Sequence, residues 1–420
     1  MAETGSGAAA TDGRRALVIG AGIVGTCSAL YLQREGFRVT LVDRDGPGEG
    51  CSSGNAANIG LGTYPPAGIL AKVPGMLMDP RHPLFIRWPD LPGLVPWFAR
   101  YALASAPRRR TAVAQAIDDL HRDVIAAYDT LFAETGTEAL VVKRGMVFTY
   151  ESRRSFEADT ANRENYRRRG LVLTELDRDE VHQMEPDLGP AVECGVHLDG
   201  TEHTVDPLRL TRAFAESFQR RGGTILRETV RDLETGADGP PRVVTDAATH
   251  APDLIVLAAG AWSGRLAARL GSRVPLAAER GYHVMLPDPG VSLSRPIRLS
   301  DRYVVVTPME HGLRLTGIAE FSGLDKPSND ARADLVLRQA QAVIPGIRTE
   351  GMTRWMGHRP STPDSIPVIG RSPRHPSVLF AFGHSHSGLS QAAVTGRLIG
   401  ELAAGRPTSI DLAPFRPERF

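Results

Sequence analysis

The 420-residue chain carries 49 Lys and Arg against 48 Asp and Glu, a formal net charge of +1, so there is no bulk electrostatic case for a nucleic-acid partner. The length exceeds one typical core and implies two domains, while 42% hydrophobic and 23% charged residues fit a soluble globular protein. Cys27, Cys51 and Cys194 lie far apart, with no metal-ligand spacing and no disulfide framework, which points to a reducing, cytoplasmic setting and no bound metal.

Residues 1–14 are small and polar, lack the apolar core of a signal peptide, and are expected to form a disordered tail. Residues 15–43, RALVIGAGIVGTCSALYLQREGFRVTLVD, predict a strand, a glycine turn, a helix and a second strand ending in an acid. Gly20 permits the sharp turn, Gly22 lets backbone approach a pyrophosphate, and Gly25 lets the helix lie close on the strand. The N–H groups around Ile23 and Val24, with the helix dipole, favour the diphosphate charge. Asp43 stands where an acid would bind a ribose hydroxyl. Arg44 follows it; the residue could meet a 2′-phosphate but is expected to face solvent beside the dinucleotide.

Residues 45–68 are rich in Gly, Ser, Asn and Pro, and the stretch CSSGNAANIGLG suits a loop lying along a ligand. Residues 91–101, LPGLVPWFARY, are apolar and aromatic, with Arg108, Arg109 and Arg110 close behind. They predict a buried segment, with peripheral contact at the inner membrane face as the alternative. Apolar spacing predicts an amphipathic helix over 112–132, and polar composition an exposed one over 151–169. A helix over 205–221 has Asp206 as N-cap, Pro207 at its first position and Gly222-Gly223 at its end, followed by a strand over 224–227. The run 254–258 reads as a buried parallel strand with Ala259 and Gly260 at its tip. Strands are expected at 282–286 and 303–307, the latter opening a hairpin around Glu310-His311-Gly312. A helix over 331–344, a strand over 378–382, a glycine turn over 383–388 and a helix over 389–402 complete the chain. The apolar runs nowhere reach bilayer-spanning length.

These segments together resemble the superfamily of FAD-dependent D-amino acid dehydrogenases and oxidases, which includes glycine and sarcosine oxidases. The resemblance is carried by the glycine turn, the Ser-Asn loop, VDPLRLTRAF, LIVLAAGAWS, GHRPSTPDSIPVIG and FGHSHSGLSQAAVTGRLI, and spans nearly the whole chain. It is strongest toward the bacterial D-amino acid dehydrogenases, enzymes acting on D-proline and D-hydroxyproline among them. The resemblance implies an α/β fold: a Rossmann-like, p-hydroxybenzoate-hydroxylase-like FAD domain interleaved with an α+β substrate domain on a mixed or antiparallel sheet. On motif positions the FAD domain takes 15–85, 190–270 and 352–420, and the substrate domain 86–189 and 271–351. FAD would contact Gly20 to Gly25, Asp43, Ser52, Ser53, Asn55, Asn58, Val230, Ala259, Gly260, Gly383, His384, Gly388, Leu389 and Ser390.

The implied reaction transfers a hydride from the amine-bearing carbon of an amino acid to flavin, with electrons passing on to a quinone or another acceptor. A substrate carboxylate calls for an arginine fork, first Arg359, then Arg302 or Arg280. The amine must lose a proton, for which His283, His358, His384 and His386 are candidates, with His386 first. Tyr303 and Tyr282 are candidate carboxylate hydrogen-bond donors. Sarcosine oxidases attach flavin through a cysteine shortly before a Thr-Pro-Asp; here Gly357 stands at about that place before Thr362-Pro363-Asp364, so the FAD is expected to be non-covalent. Those oxidases also use a lysine beside the flavin, and Lys72, Lys143 and Lys326 match no such motif, which favours a dehydrogenase. The alternatives are a glycine- or sarcosine-type oxidase and a non-catalytic flavin-binding subunit; the oligomeric state stays open.

Overall fold

In the computed structural model the described residues are 13–62, 64, 69–79, 82–235 and 241–420. The expected tail therefore lies outside them except at its last two residues.

A six-stranded sheet runs in the order Thr224–Arg227, Arg38–Asp43, Arg15–Ile19, Leu254–Leu257, Val378–Phe382, Val368–Arg371. The first five strands are parallel and the last is an antiparallel edge. Leu254–Leu257 is buried throughout, as a strand covered on both faces must be. Helices Ile23–Arg34 and Gly388–Ala403 pack directly on one another. A Cβ at Gly396 would lie 2.8 Å from the Cys27 backbone, so the absent side chain sets the close approach. Both helices follow strands of this sheet, so their N-termini emerge at its C-terminal edge, where open α/β sheets bind ligands.

A nine-stranded mixed sheet forms the second layer, in the order Thr353–Ser361, Ala277–Leu286, Gly312–Phe321, Val304–Met309, Ile297–Leu299, Met146–Tyr150, Cys194–Leu198, Leu173–Leu176, with Leu84–Ile86 also pairing to Gly312–Phe321. Its alternating apolar residues form a core under helix Asp330–Gln341, which contributes Ala333, Val336, Leu337 and Ala340 at helical spacing. Cys194–Leu198, Thr353–Ser361 and most of Leu84–Ile86 belong to this sheet by hydrogen bonding, whereas the motif-based boundaries put them with the FAD domain. Those boundaries followed the motifs, while strands between motifs go where their pairing partners are.

Most predicted elements form. Asp206 caps helix Pro207–Arg220 by accepting from the Leu208 and Arg209 N–H groups. The stretch 112–132 instead breaks into Pro107–His121 and Val124–Thr135. The stretch 151–169 is two short helices that bury Phe156, Arg163 and Tyr166. Its polar composition hid this inner face, because Arg163 is covered by stacking 3.8 Å over the Phe156 ring. Leu91–Ala104 is a helix whose Trp97 is buried, with the indole N–H donating to the Ser361 carbonyl at 3.0 Å. Among the described residues no helix is long and apolar enough to cross a membrane.

Candidate active site

One cavity of about 740 Å³ lies where the two sheets meet, within the ~300–1,000 Å³ range of ligand sites. Its first wall is made largely of backbone. Gly20 has φ +106°, and a Cβ there would lie 2.4 Å from the Ala258 carbonyl oxygen. A Cβ at Gly25 would fall 1.8 Å from the Gly20 carbonyl oxygen, so this glycine is a packing requirement and stands outside the cavity wall. Gly22 faces the cavity; the atom nearest its missing Cβ is Ser52 Oγ at 3.1 Å. Ser52 Oγ accepts the Ile23 N–H at 3.0 Å, and Val24 lines the same wall. Asp43 accepts from the N–H groups of Ala21 (2.6 Å) and Asp45 (3.0 Å), and burial raises its carboxyl pKa against those two bonds. Val230, Ala259 and Gly260 complete this end. Arg44 is not simply solvent-facing: it lines the cavity and stacks 4.1 Å over the Trp262 ring, because the aromatic face is its nearest partner besides Asp45.

The second glycine turn forms the far end. Gly383, His384, Gly388, Leu389 and Ser390 all line the cavity. His384 Nε2 lies 3.0 Å from Thr395 Oγ1, and burial pushes its pKa down to about 3, so the ring stays neutral. Ser390 Oγ donates to the Asn58 carbonyl at 3.1 Å. Two helix N-termini thus open on one cavity, each a positive dipole end.

The 51–58 loop lies between the walls. Ser52, Asn55 and Asn58 line the cavity, but Ser53 does not. The Ser53 hydroxyl donates to the Gly50 carbonyl, and its own carbonyl accepts from Arg314. The nine-stranded sheet pins the loop by its carbonyls: Arg314 donates to Ser53 and Asn55 (3.0 Å each), Thr307 to Ala56 (3.0 Å) and His283 Nδ1 to Gly54 (3.0 Å). His283 is therefore not a cavity base. Its ring stacks on Trp355 at 4.9 Å, and burial, aided by Arg314, pushes its pKa down to about 4.

The second wall is made of side chains. Arg359 lines it and is 15% exposed; its Nη1 donates to Glu279 Oε1 and to the Ile318 carbonyl, both at 3.0 Å. His386 Nε2 lies 2.7 Å from the same Glu279 oxygen, and Ser361 Oγ donates to the other at 2.8 Å. Burial opposes ionisation of Glu279, but His386, Arg359 and Ser361 together overcome it and hold the carboxyl at about 2. Antiparallel register places Glu279 directly across from Arg359. The strand Thr353–Ser361 also receives the second glycine turn, through the Ser361–His384 bridge and the Ser385 N–H to Pro360 carbonyl bond at 3.1 Å. This junction carries His386 to Glu279.

Tyr303, Ile318 and Ser385 have left-handed φ of +57°, +52° and +50°, and all three line the cavity. Backbone strain concentrated there is a mark of a functional site. Tyr303 is 45% exposed. His358 lines the wall against Trp262 at 5.7 Å, and burial, aided by Arg280 and Arg44, takes its pKa down to about 4.

Three candidates are spent elsewhere. Arg280 is fully buried and donates to the carbonyls of Gly323, Lys326 and Pro327. Arg302 grips Glu151 at 2.6 and 2.5 Å. The Tyr282 hydroxyl donates to Glu320 at 2.5 Å within the core. Each found a carboxylate or free carbonyls nearer than the cavity. Glu279, Trp355 and Cys51 were not anticipated. An acid and a base side by side in the apolar strand AAERGYHVML signal buried charge, but not the partner. Trp355 fills the space a side chain at Gly357 would need, its ring 2.1 Å from that Cβ position. Cys51 lines the cavity, and burial pushes its thiol up to about 11.

Residues 15–402 match the DAO family, described as FAD dependent oxidoreductases. The chain belongs to this family of FAD-dependent oxidoreductases. It is 38% identical to a D-amino-acid oxidase of Bradyrhizobium diazoefficiens, covering 97% of this chain and 99% of that one. It is 30% identical to a D-amino acid dehydrogenase of Paramagnetospirillum magneticum, with 97% and 99% covered. In structure it is similar to glycine oxidase from Geobacillus kaustophilus (TM-score 0.73, 23% identity, 97% and 99% covered). It is also similar to L-proline dehydrogenase from P. horikoshii (TM-score 0.73, 19% identity, 97% and 98% covered). The mixed α/β architecture is the family fold, and FAD is the family cofactor. The glycine wall fits this cofactor: bare backbone at Gly22 on the cavity side, the Ile23 N–H held by a replaceable hydroxyl, and two helix N-termini along one cavity.

Proposed function

We propose that this DAO-family enzyme oxidises a D-amino acid at its amine-bearing carbon, using non-covalent FAD and passing electrons to a quinone or another acceptor. FAD, when bound, supplies the hydride acceptor. The observation that carries the reading is Arg359, a nearly buried guanidinium offered to the cavity from the sheet opposite the glycine wall. Its Nη1 is committed to Glu279 and Ile318, which leaves the other edge for a substrate carboxylate. The adjoining Leu84, Val305, Ile318 and Ala319 offer an apolar chamber for a side chain, which a ring such as that of D-proline or D-hydroxyproline suits. His386 is the proposed acceptor of the amine proton, and Tyr303 a donor at the mouth. Non-covalent attachment is supported by Gly357, which has no room for a side chain, and by Cys51, held as a thiol.

The dehydrogenase mode is supported by the wall itself: among the described residues no lysine lines the cavity. Against it stands the 38% identical relative named as an oxidase. Anaerobic reduction of the purified yellow protein by D- and L-amino acids, sarcosine and glycine tests the substrate class. Bleaching by L-amino acids or glycine alone would overturn the proposal. Hydrogen peroxide formed stoichiometrically in air would replace dehydrogenase by oxidase.

The substrate domain gains Leu84–Ile86, Cys194–Leu198 and Thr353–Ser361. A cytoplasmic enzyme would touch the inner membrane face through the exposed Trp88, Val95 and Leu103 beside Arg108 and Arg109. Co-sedimentation with anionic vesicles tests that contact.

A further inference from the structure

Arg359, Glu279 and His386 are one hydrogen-bonded cluster, but only Arg359 and His386 line the cavity. Glu279 lies behind them, 4% exposed, with both oxygens engaged. We propose that Glu279 is a positioning residue that makes carboxylate binding depend on a proton held by His386. The proposal rests on the amino acid reading of the cavity.

Glu279 is buried and Arg359 nearly so, while His386 keeps 41% of its side chain exposed and can exchange a proton with solvent. With His386 neutral, Arg359 and Glu279 cancel, and the wall presents no net charge to a carboxylate. With His386 protonated, the cluster carries one positive charge, which matches one carboxylate. An amino acid brings both parts: its carboxylate goes to the free edge of Arg359, and its ammonium gives a proton to His386 Nδ1, since Nε2 faces Glu279. The substrate nitrogen is left neutral with its lone pair free, the imidazole becomes imidazolium, and total charge is unchanged. Glu279 is what allows a second cation beside Arg359.

The neighbours leave this role to His386. Cys51 from the loop and Tyr101 from helix Leu91–Ala104 both feel the Glu279 charge, and burial pushes both upward, Cys51 to about 11, so both stay neutral. His384 and His358, also in the wall, are held neutral by burial at about 3 and about 4. Gly281 completes the cradle: a Cβ there would lie 2.3 Å from Arg359 Nη2, so the strand Ala277–Leu286 supplies a carboxylate at one position and an empty site two residues on.

The test uses the holoenzyme and isobutyrate, a carboxylate with the shape of a small amino acid and no amine to oxidise, with binding read from the visible spectrum of the bound flavin. Isobutyrate brings no proton, so the wild-type protein must take one from solvent. Its affinity should fall about tenfold per pH unit once His386 is deprotonated. In Glu279→Gln the cancellation is gone, and this slope should vanish, with tighter binding at pH 8 than in the wild type. The same variant should show kcat/KM for the amino acid rising about tenfold per pH unit toward the amine's own pKa, where the wild type is flat. A wild-type slope retained in Glu279→Gln overturns the proposal. Should that variant lose its flavin, His386→Gln must lose the slope instead, and its persistence there overturns the proposal equally. Isobutyrate that binds at no pH sinks the carboxylate reading of the cavity itself, whereas binding with an unaltered slope sinks only the role of Glu279.

Discussion

The two walls of the cavity are built from different material. The wall from the six-stranded sheet is backbone: glycines that a Cβ would block, N–H groups at two helix starts, and Asp43 held by two amides. The opposite wall is side chain: a guanidinium backed by a buried carboxylate, both from the nine-stranded sheet, joined by an imidazole that the second glycine turn carries across. A backbone site tolerates almost any residue that keeps its path and nothing that adds bulk. A charge cluster tolerates bulk better but not the loss of one partner, because the remainder is left buried and unpaired.

That contrast can be broken at its strongest point. Gly25→Ala places a methyl group 1.8 Å from the Gly20 carbonyl oxygen, so bound flavin should be lost altogether. Purified variant retaining one flavin per chain, counted from its visible absorbance, would show that the first wall yields to a methyl group.

The next effect is on stability and touches both walls. His121, His203, His283, His358 and His384 are held neutral, between about 3 and about 4, by burial. Unfolding lets each bind a proton below its ordinary value of ~6.5, so the unfolded state takes up more protons and stability rises with pH from about 4 to about 6.5. Each contributes up to about 1.4 kcal/mol per pH unit in that window. Urea midpoints should fall steeply as pH drops from 6.5 to 4.5, and less steeply in His283→Gln or His384→Gln. Equal slopes in all three proteins would mean these rings are not neutral in the folded state.

Arg359→Lys sharpens the comparison at the second wall. Lysine can still pair with Glu279 but offers no planar edge, so KM should rise about a hundredfold for the loss of a charge-assisted contact worth about 2–3 kcal/mol. Flavin affinity should stay as it was; equal losses of both would place Arg359 on the cofactor instead. Ser52→Ala is the smallest change. It removes the acceptor of the Ile23 N–H and one polar group from the flavin side, for about 1 kcal/mol or a fivefold weaker FAD affinity. Ultrafiltration of the pure variant measures it.

The same division explains what could be read in advance. Gly20, Gly22 and the turn at 383–388 were legible because a backbone that must bend sharply or approach a phosphate admits few residue types at fixed spacing. The Asp206 cap and the hairpin at Glu310-His311-Gly312 were legible for the same local reason. Arg280, Arg302, Tyr282 and His283 were misplaced because the type of a polar side chain says that it needs a partner, not which one. Arg302 found Glu151, far away in the chain, and His283 found a loop carbonyl. Arg359, singled out by its motif, lines the cavity, but its partner Glu279 was not foreseen.

The sequence by itself determined the dinucleotide turn, the second glycine turn and the order of strands and helices that puts both at one sheet edge, since each follows from short-range backbone geometry. Only the tertiary structure decided that Glu279 stands across from Arg359 and within reach of His386. That meeting depends on a strand register and on a turn crossing between sheets, and no local rule links three residues spread from 279 to 386.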